Sequence, residues 1–467
     1  MREFVKGLFV SAEPGWMVFF ILSPDRLTLS GLTSLHMKQL ITLSRIVCWS
    51  LSLTAQKPVP VKPRILISTD IGGTDPDDNQ SMIHFLMYSN LFNTEGLISS
   101  PSYGHGTKQN LLEMIALYEK DLPKLQKHAS DFPSPGALRA ICKQGKQGAA
   151  PFAGYTKATE GSNWIITCAR KKSSQPLWVL VWGGLDDVAQ ALHDAPDIQQ
   201  KIKIYWIGGP NKKWSANSYA YIVANFSNLW FIEDNSSYYG FFSTKGMPDS
   251  VNTTNYYEQH MAGAGNMGND FKKYYGGNVK MGDTPSLLYM MDGDPNDPTK
   301  ESWGGSFETF NHSPHRIFTG NTTLADTVTV CAVLEFHLKG PKVNLPADSA
   351  CFTLNVKAGI GEQKWAGYYK GDGEYVVRYA PKQAETISYT ITSTIPGFPA
   401  AAGQFVVNNE WPGKTLKTDY KLGPDWYTDR NDPQLYDGNI QGGITIKKWR
   451  MDVLQDWAKR WVWLKQE

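Results

Sequence analysis

Four aspartates lie within nine positions of the chain, in the segment RILISTDIGGTDPDDNQSM. Asp70, Asp75, Asp77 and Asp78 follow directly after the apolar run RILIST. A helix dipole stabilises a carboxylate in the first turn by roughly 0.3–1 kcal/mol, which accounts for Asp77 or Asp78 alone. Asp70 ends a buried strand instead, where neighbouring like charges repel and their desolvation is costly. A divalent cation held between Asp70 and Asp78 resolves this conflict.

Calcium is the ion that fits this group of side chains. It takes about six to eight oxygen ligands from carboxylates, backbone carbonyls and water. The loop between Asp70 and Asp78 can fold so that both carboxylates meet one ion. We therefore predict a Ca2+ site at this segment, with a solvated acidic turn as the alternative.

The elements around this segment alternate between apolar runs and amphipathic helices. The apolar runs RILIST, EGLISS, LWVLVWGG, IKIYWIGG and NLWFIED lack polar alternation, and helical patterns such as DDVAQALHDA separate them. This order predicts an α/β fold with a mostly parallel sheet and helices on both faces. Ligands of such sheets bind beyond the carboxyl ends of the strands, which is where Asp70 lies.

The pattern changes after about Gly320. Short segments rich in Thr, Val and Tyr, such as GEYVVRYAP and TISYTITST, are typical of an antiparallel β-sandwich. The chain then returns to a helical pattern with Trp457 among its spaced apolar residues. We predict an α/β domain over 61–318, an inserted Ig-like β-sandwich over 319–415, and a C-terminal segment over 416–467 that packs back on the first domain.

The first 60 residues form a leader. Its sequence shows no helix or strand periodicity that continues into the rest of the chain. From Met37 the sequence MKQLITLSRIVCWSLSLTAQ has a basic start, a short apolar stretch and a small-residue exit, as in a secretory signal peptide. We predict that translation begins at Met37 and that cleavage near Ala55 gives a secreted or periplasmic protein. The alternative is a disordered or misassigned leader. The apolar run is too short for a membrane span.

Composition excludes several function classes. The 467 residues include 46 basic and 44 acidic side chains, so charge gives no bias toward nucleic acid or a membrane surface. No Gly-rich phosphate loop, Ser-His-Asp hydrolase elbow or zinc signature is present in the sequence. The four cysteines after the leader allow a Cys331–Cys351 disulfide or buried free thiols. Copies of the chain could also assemble into a homo-oligomer.

The acidic segment resembles the signature of the inosine-uridine nucleoside hydrolases, an Asp-x-Asp-x-x-x-Asp-Asp run after the first strand. It departs from that signature at Ser68 and by a longer loop between Asp70 and Asp77. VLVWGGLDDVAQAL and IKIYWIGG are similar to later segments of the same family. The GDTPS and WGG segments resemble a secreted branch of this superfamily described as cellulose-binding. The inserted part is similar to a β-sandwich module of polysaccharide-degrading enzymes.

The resemblance implies roles for the acidic residues. Asp70 would bridge metal and water and act as the general base, while Asp78 and Asp283 would be carboxylate ligands of the metal. The backbone carbonyl of Trp182 would be a further metal ligand. Asp77 would hold hydroxyl groups of the bound molecule.

The resemblance also implies polar contacts to a sugar from Asn225 and Asn228, with Asn235 as a competing choice. The leaving group needs an acid, and His105 in the segment SPSYGHGT is one candidate. Further candidates for this acid are His312, His315 and Tyr103.

Together these features predict a secreted, calcium-dependent hydrolase of N- or O-glycosidic bonds, acting on a carbohydrate or nucleoside-like small molecule. Asp70 would activate the water. Two alternatives are a carbohydrate-binding protein without catalysis, in which Ser68 marks a decayed centre, and an extracellular ribonucleoside hydrolase.

Overall fold

A computed structural model describes residues 61–73, 75–242, 253–359, 361–409 and 415–465. The predicted signal peptide, its start at Met37 and its cleavage site lie outside these residues. Within these ranges, no helix combines the length and the apolar character that crossing a membrane requires.

The first sheet contains eight strands in the order β3-β2-β1-β4-β5-β6-β18-β7. Its neighbouring strands run parallel, except that β18 and β7 are antiparallel. The strands are β1 Arg64–Thr69, β2 Asn93–Ser99, β3 Cys142–Gln144, β4 Leu177–Val181, β5 Ile202–Ile207, β6 Trp230–Asp234, β7 Phe307–Thr309 and β18 Trp426–Asp429.

Helices cover this sheet on both faces. Every residue of β1 is buried, and successive residues enter opposite cores: Ile65 and Ile67 pack into one cluster and Leu66 into the other. The helices are α1 Asp77–Tyr88, α2 Lys108–Gln126, α3 Pro135–Ala140, α4 Glu160–Ala169, α5 Asp186–Asp194, α6 Gly209–Trp214, α7 Ala216–Asn225, α8 Thr253–Tyr256, α9 Gly265–Phe271, α10 Thr284–Met291, α11 Gly443–Lys447 and α12 Arg450–Lys465. Burial on both faces explains why the strands lack polar alternation.

The second large sheet is nearly closed and mostly antiparallel, in the order β10-β16-β15-β12-β13-β14-β11-β9. It encloses a separate apolar core that includes Phe336, Leu354 and Phe405. The remaining strands are β8 His312–Ser313, β9 His315–Phe318, β10 Thr327–Thr329, β11 Val333–Lys339, β12 Ser349–Ala358, β13 Gly361–Gly371, β14 Glu374–Tyr379, β15 Thr386–Ser393, β16 Ala401–Asn408 and β17 Tyr420–Lys421. The predicted fold class is confirmed for both regions.

After the second sheet the chain returns to the first. β18 pairs with β6, and Trp457 and Trp461 of α12 are fully buried in the core of the first sheet. The indole of Trp457 donates to the Met87 sulfur at 3.2 Å. The sequence did not predict β18, because four residues are too few to show a period. The domain boundaries at 318 and 415 stay a prediction.

The cysteines of the described residues are free thiols. Cys142, Cys168 and Cys331 are buried, and Cys351 is half-buried. The Cys331–Cys351 disulfide, one of the two alternatives left open by the sequence, is therefore not formed in this structure.

Candidate functional site

Four aspartates meet at the carboxyl end of the first sheet. Asp70 follows β1 directly, Asp77 and Asp78 are the first residues of α1, and Asp283 immediately precedes α10. Residues far apart in sequence meet here because parallel strands end at the same edge of a sheet. We call these four residues the acidic cluster.

The geometry of the acidic cluster suits a metal ion. Asp77, Asp78 and Asp283 each offer a carboxylate oxygen, and these oxygens all lie within 4.8 Å of one another. Asp70 hydrogen-bonds with Asp78 and lines the same pocket. The Thr69 hydroxyl also donates to Asp78. Hard cations such as calcium are bound by several carboxylate oxygens of this kind.

Burial and mutual repulsion make these carboxylates hard to ionise. Burial raises the pKa of Asp70 to about 6 and that of Asp77 to about 7. The pKa values of Asp78 and Asp283 lie well above the usual range, first through burial and then through the neighbouring carboxylates. Lys280 provides positive charge, with its Nζ bound to Asp75 and 3.5 Å from Asp77.

Asp283 shows most clearly that a partner is missing. Its Oδ2 is buried and has no hydrogen-bond partner among the described residues. Asp283 stands at the N-cap of α10, but its side chain makes no capping hydrogen bond. A capping role therefore does not explain this carboxylate. A buried, unpaired acceptor is costly, and a bound cation would satisfy it.

Two glycines allow the backbone to approach the acidic cluster closely. A Cβ added at Gly183 would lie 2.8 Å from the Cβ of Asp70, and one added at Gly282 would lie 2.4 Å from an Asp77 oxygen. The turn at Gly183 after β4 therefore does more than connect a strand to a helix, because its backbone packs directly against Asp70.

The acidic cluster lines a pocket of about 310 Å³, which we call the acidic pocket. Its rim is aromatic. The ring of Tyr103 stacks on that of Trp214 with centroids 3.9 Å apart, and Trp214 stacks on Trp365 of the second sheet at 5.1 Å. Tyr103 is 45% exposed, so a flat ring is open to solvent beside the carboxylates.

Trp182 lines the acidic pocket as predicted, and its carbonyl already has one partner. The Asn211 side chain donates to this carbonyl at 2.9 Å. A carbonyl oxygen has two lone pairs, so one remains for a metal. The Trp182 indole donates to the Ser286 hydroxyl at 2.8 Å and thereby ties β4 to α10.

Three of the predicted site residues do not line the acidic pocket. His105 is exposed in the loop after β2. Asn225 and Asn228 are exposed and precede β6, so they lie at the amino end of that strand, away from the acidic cluster. Asn235, the competing choice, follows β6 and lies at the carboxyl end. Its position in the fold favours Asn235 over the other two asparagines.

The other candidates for the leaving-group acid also differ in whether they line the acidic pocket. His312 contacts Asn311, and His315 lies 3.4 Å from Glu335 in the second sheet. No histidine of the described residues lines the acidic pocket, whereas Tyr103 does.

The residues of the acidic pocket that sequence reasoning missed include Asn211, Lys280 and Lys382. Asn211 could have been found, because the segment IGGPN follows an apolar strand and so lies at the carboxyl edge of the sheet. Lys382 comes from the connection between β14 and β15, and no local pattern relates it to the acidic segment.

The family described as cellulose-binding Sde182, nucleoside hydrolase-like domain, matches residues 64–307, which are 244 of the 467 residues. A domain of unknown function, DUF5060, matches residues 327–394 in the second sheet. These matches confirm the resemblance to the nucleoside-hydrolase-like branch. A comparison with curated proteins gives no match.

Solved structures resemble the chain at low identity. A nucleoside hydrolase-related protein from Saccharophagus degradans, described as associated with carbohydrate metabolism, is 20% identical, with 74% of this chain and 100% of that chain covered and a TM-score of 0.45. The inosine-uridine preferring nucleoside hydrolase of Bacillus anthracis is 17% identical, with 55% and 87% covered and a TM-score of 0.34. A purine-preferring ribonucleoside hydrolase from Gardnerella vaginalis is 13% identical, with 54% and 84% covered and a TM-score of 0.33.

Proposed function

Because this chain belongs to the family of cellulose-binding Sde182, nucleoside hydrolase-like domains, we propose that it hydrolyses a glycosidic bond of a carbohydrate with the help of calcium. The observation that carries the proposal is the acidic cluster: oxygens of Asp77, Asp78 and Asp283 lie within 4.8 Å of one another, and a buried Asp283 oxygen lacks a partner among the described residues. Convergent, unsatisfied carboxylates at a pocket are expected of a metal centre more than of a structural core.

Asp78 and Asp283 would hold the ion, Asp77 offers a third carboxylate, and the Trp182 carbonyl offers a further oxygen. Asp70 lies beside them in the acidic pocket. When bound, calcium would supply a hard positive charge that offsets the carboxylate repulsion, orients sugar hydroxyls and acidifies water.

Asp70 then acts as the general base. Water attacks the anomeric carbon and gives its proton to the Asp70 carboxylate, while the bond to the leaving group breaks and its electron pair stays with that group. The surrounding carboxylates stabilise the oxocarbenium-like charge that develops on the sugar. Tyr103, which lines the pocket, is the candidate to protonate the leaving group, since His105 does not line it.

Two features support a carbohydrate as the substrate. The family is described as cellulose-binding. The open face of Tyr103, backed by Trp214, gives a flat surface on which a sugar ring can stack. A carbohydrate substrate of this kind lies outside the cytoplasm, so we extend the proposal to a secreted or periplasmic location.

A second candidate function is carbohydrate binding without turnover, which the family description favours. The acidic pocket would then bind a sugar through its hydroxyl groups, and Ser68 would mark a centre that has lost a ligand. Ser68 does not line the acidic pocket, so it adds no ligand to the cluster.

The test is release of reducing sugar from cello-oligosaccharides in calcium and in EDTA. Wild type should release sugar only with calcium, and Asp70→Asn should lower the rate by about 10²–10⁴-fold, the usual contribution of a general base. Asp452→Asn is the matched control, because Asp452 is exposed and does not line the acidic pocket.

The result would favour carbohydrate binding without turnover if wild type is retained on insoluble glucan and releases no sugar. Asp70→Asn should then be retained equally well. Release of base from inosine or uridine would show a ribonucleoside hydrolase instead.

A further inference from the structure

A second cavity adjoins the acidic pocket. It measures about 570 Å³ and lies between the two large sheets, and we call it the interdomain cleft. Tyr239 and Lys382 line both cavities, so the two spaces are neighbours with a shared wall. Both volumes fall in the range of about 300–1,000 Å³ that is usual for ligand sites.

Three parts of the chain build most of the interdomain cleft, and Val330, Cys331 and Asn409 complete its lining. The segment after β6 contributes Asn235 and Tyr239, and the β14–β15 connection of the second sheet contributes Lys382 and Gln383. The segment after β18 contributes Asn439 and its neighbours. The cleft therefore exists only because the second sheet and the C-terminal segment pack beside the acidic pocket.

The polar groups of the cleft suit an uncharged ligand that is rich in hydroxyls. Gln383 and Asn439 are exposed, and their amides make no hydrogen bond to any described residue. An amide both donates and accepts hydrogen bonds, as a sugar hydroxyl does. Tyr239 and Tyr436 add aromatic surface to the same lining.

The charged residues of the cleft offer a ligand one ammonium group and no unpaired carboxylate. Asp429 lines the cleft, but its two oxygens already accept hydrogen bonds from the backbone of Asn235 and Ser237 and from the Ser237 hydroxyl. Lys382 makes no ion pair with any described residue and stands where the two cavities meet. A single ammonium at this junction can donate to hydroxyls of a ligand that passes from one cavity to the other.

We infer that the interdomain cleft is a glycan subsite, which binds further units of a neutral oligosaccharide whose terminal sugar occupies the acidic pocket. The inference rests on the proposed function and narrows its substrate class from a carbohydrate to a chain of several sugars. The acidic pocket alone, at about 310 Å³, has room for a small ligand, and the cleft adds the larger share of the volume.

Titration calorimetry with cello-oligosaccharides of increasing length tests this subsite in the calcium-loaded protein. Every protein in the titration, including the one with a wild-type cleft, carries Asp70→Asn, so that the ligand is not cleaved while its binding is measured. The protein with a wild-type cleft should bind the tetraose roughly fivefold or more tightly than the biose, since each added hydrogen bond contributes about 1 kcal/mol. The double variant Gln383→Ala/Asn439→Ala should lose that gain and bind the biose as wild type does. Gln200→Ala, an exposed amide away from the cleft, is the matched control.

A second variant fills the cleft without removing a hydrogen bond. Ala384 is exposed and lines it, so Ala384→Trp should abolish the gain with length while the protein remains folded. Equal affinity of wild type for all lengths, no binding of any of them, or cleft variants that behave as wild type would overturn the subsite.

Failure of the proposed function gives a different result. In that case calcium would leave the thermal stability unchanged and no sugar would be released, whatever the effect of chain length on affinity.

Discussion

Two groups of buried carboxylates differ in how the fold treats them. Glu335 in β11 is buried among basic side chains: Arg378 donates to it at 2.6 Å, His337 lies at 2.9 Å and His315 at 3.4 Å. Burial would raise the pKa of Glu335, but the hydrogen bonds and the charge of Arg378 outweigh it and hold that pKa well below its usual range.

The acidic cluster has the opposite balance. Burial raises the pKa values of Asp70, Asp77, Asp78 and Asp283, and the neighbouring carboxylates raise several of them further. One Asp283 oxygen has no hydrogen-bond partner in the part of the chain that the structure describes. The contrast teaches that this fold can pair a buried acid fully where the acid serves structure. An incompletely paired cluster at a pocket is therefore a sign of a site that takes its positive charge from a ligand.

The largest expected effect comes from removing the partner of Glu335. Arg378 also donates to the Phe152 carbonyl at 2.6 Å and covers the Phe152 ring, so it joins the second sheet to the first domain. Arg378→Met should lower the free energy of unfolding by about 3–5 kcal/mol, because it leaves a buried charge uncompensated. Denaturant unfolding measures this change.

The control for this prediction is an exposed pair, Lys342 and Asp372, with side chains 75% and 90% exposed. Lys342→Met should cost less than about 1 kcal/mol. If Arg378→Met and Lys342→Met lowered the free energy of unfolding equally, the contrast between the two groups of carboxylates would fail, since Glu335 would then not depend on its partners.

A smaller effect should appear on acidification. The pKa of Glu335 is depressed in the folded state, so its contribution is complete above the unfolded value of about 4.3 and is lost as pH falls toward the folded pKa. Between pH 5 and pH 3 this loss should amount to about 1–2 kcal/mol of unfolding free energy. Glu335→Gln should remove that part of the pH dependence.

The matched control for the pH series is Glu362→Gln, at an exposed position of β13. It should keep the wild-type slope below pH 5. A Glu335→Gln protein with the same slope would show that another group causes the acid sensitivity.

The fold class and the pair Asp70 and Asp78 could be predicted because the patterns that indicate them lie in short, continuous segments of the sequence. The strand RILIST, the helix that begins at Asp77 and the aspartates between them are consecutive, so spacing alone places Asp70 and Asp78 together. Asp283 is distant from them in sequence, and its role as a metal ligand was predicted only from the family resemblance. Burial of strands on both faces leaves an apolar run that is easy to recognise.

The remaining parts depend on packing that no local pattern records. Lys382 reaches the acidic pocket because the second sheet packs beside the first, and β18 joins the first sheet after a long excursion of the chain. Asn225 and Asn228 came from the family resemblance, and the direction of β6 places them at its amino end, away from the acidic pocket. Which end of a strand faces the ligand is decided by topology, which also favours Asn235.

Thermal unfolding in EDTA and in calcium, for wild type and Asp78→Asn, tests the central claim most directly. With calcium at about 100 times its Kd, wild type should gain roughly 2.7 kcal/mol of unfolding free energy. Asp78→Asn should not respond to calcium, and in EDTA it should exceed wild type by about 1 kcal/mol, because one repelling charge is gone. Asp452→Asn, at an exposed position outside the acidic pocket, should respond as wild type does. Wild type with the same stability in calcium and in EDTA would contradict a metal centre in the acidic cluster.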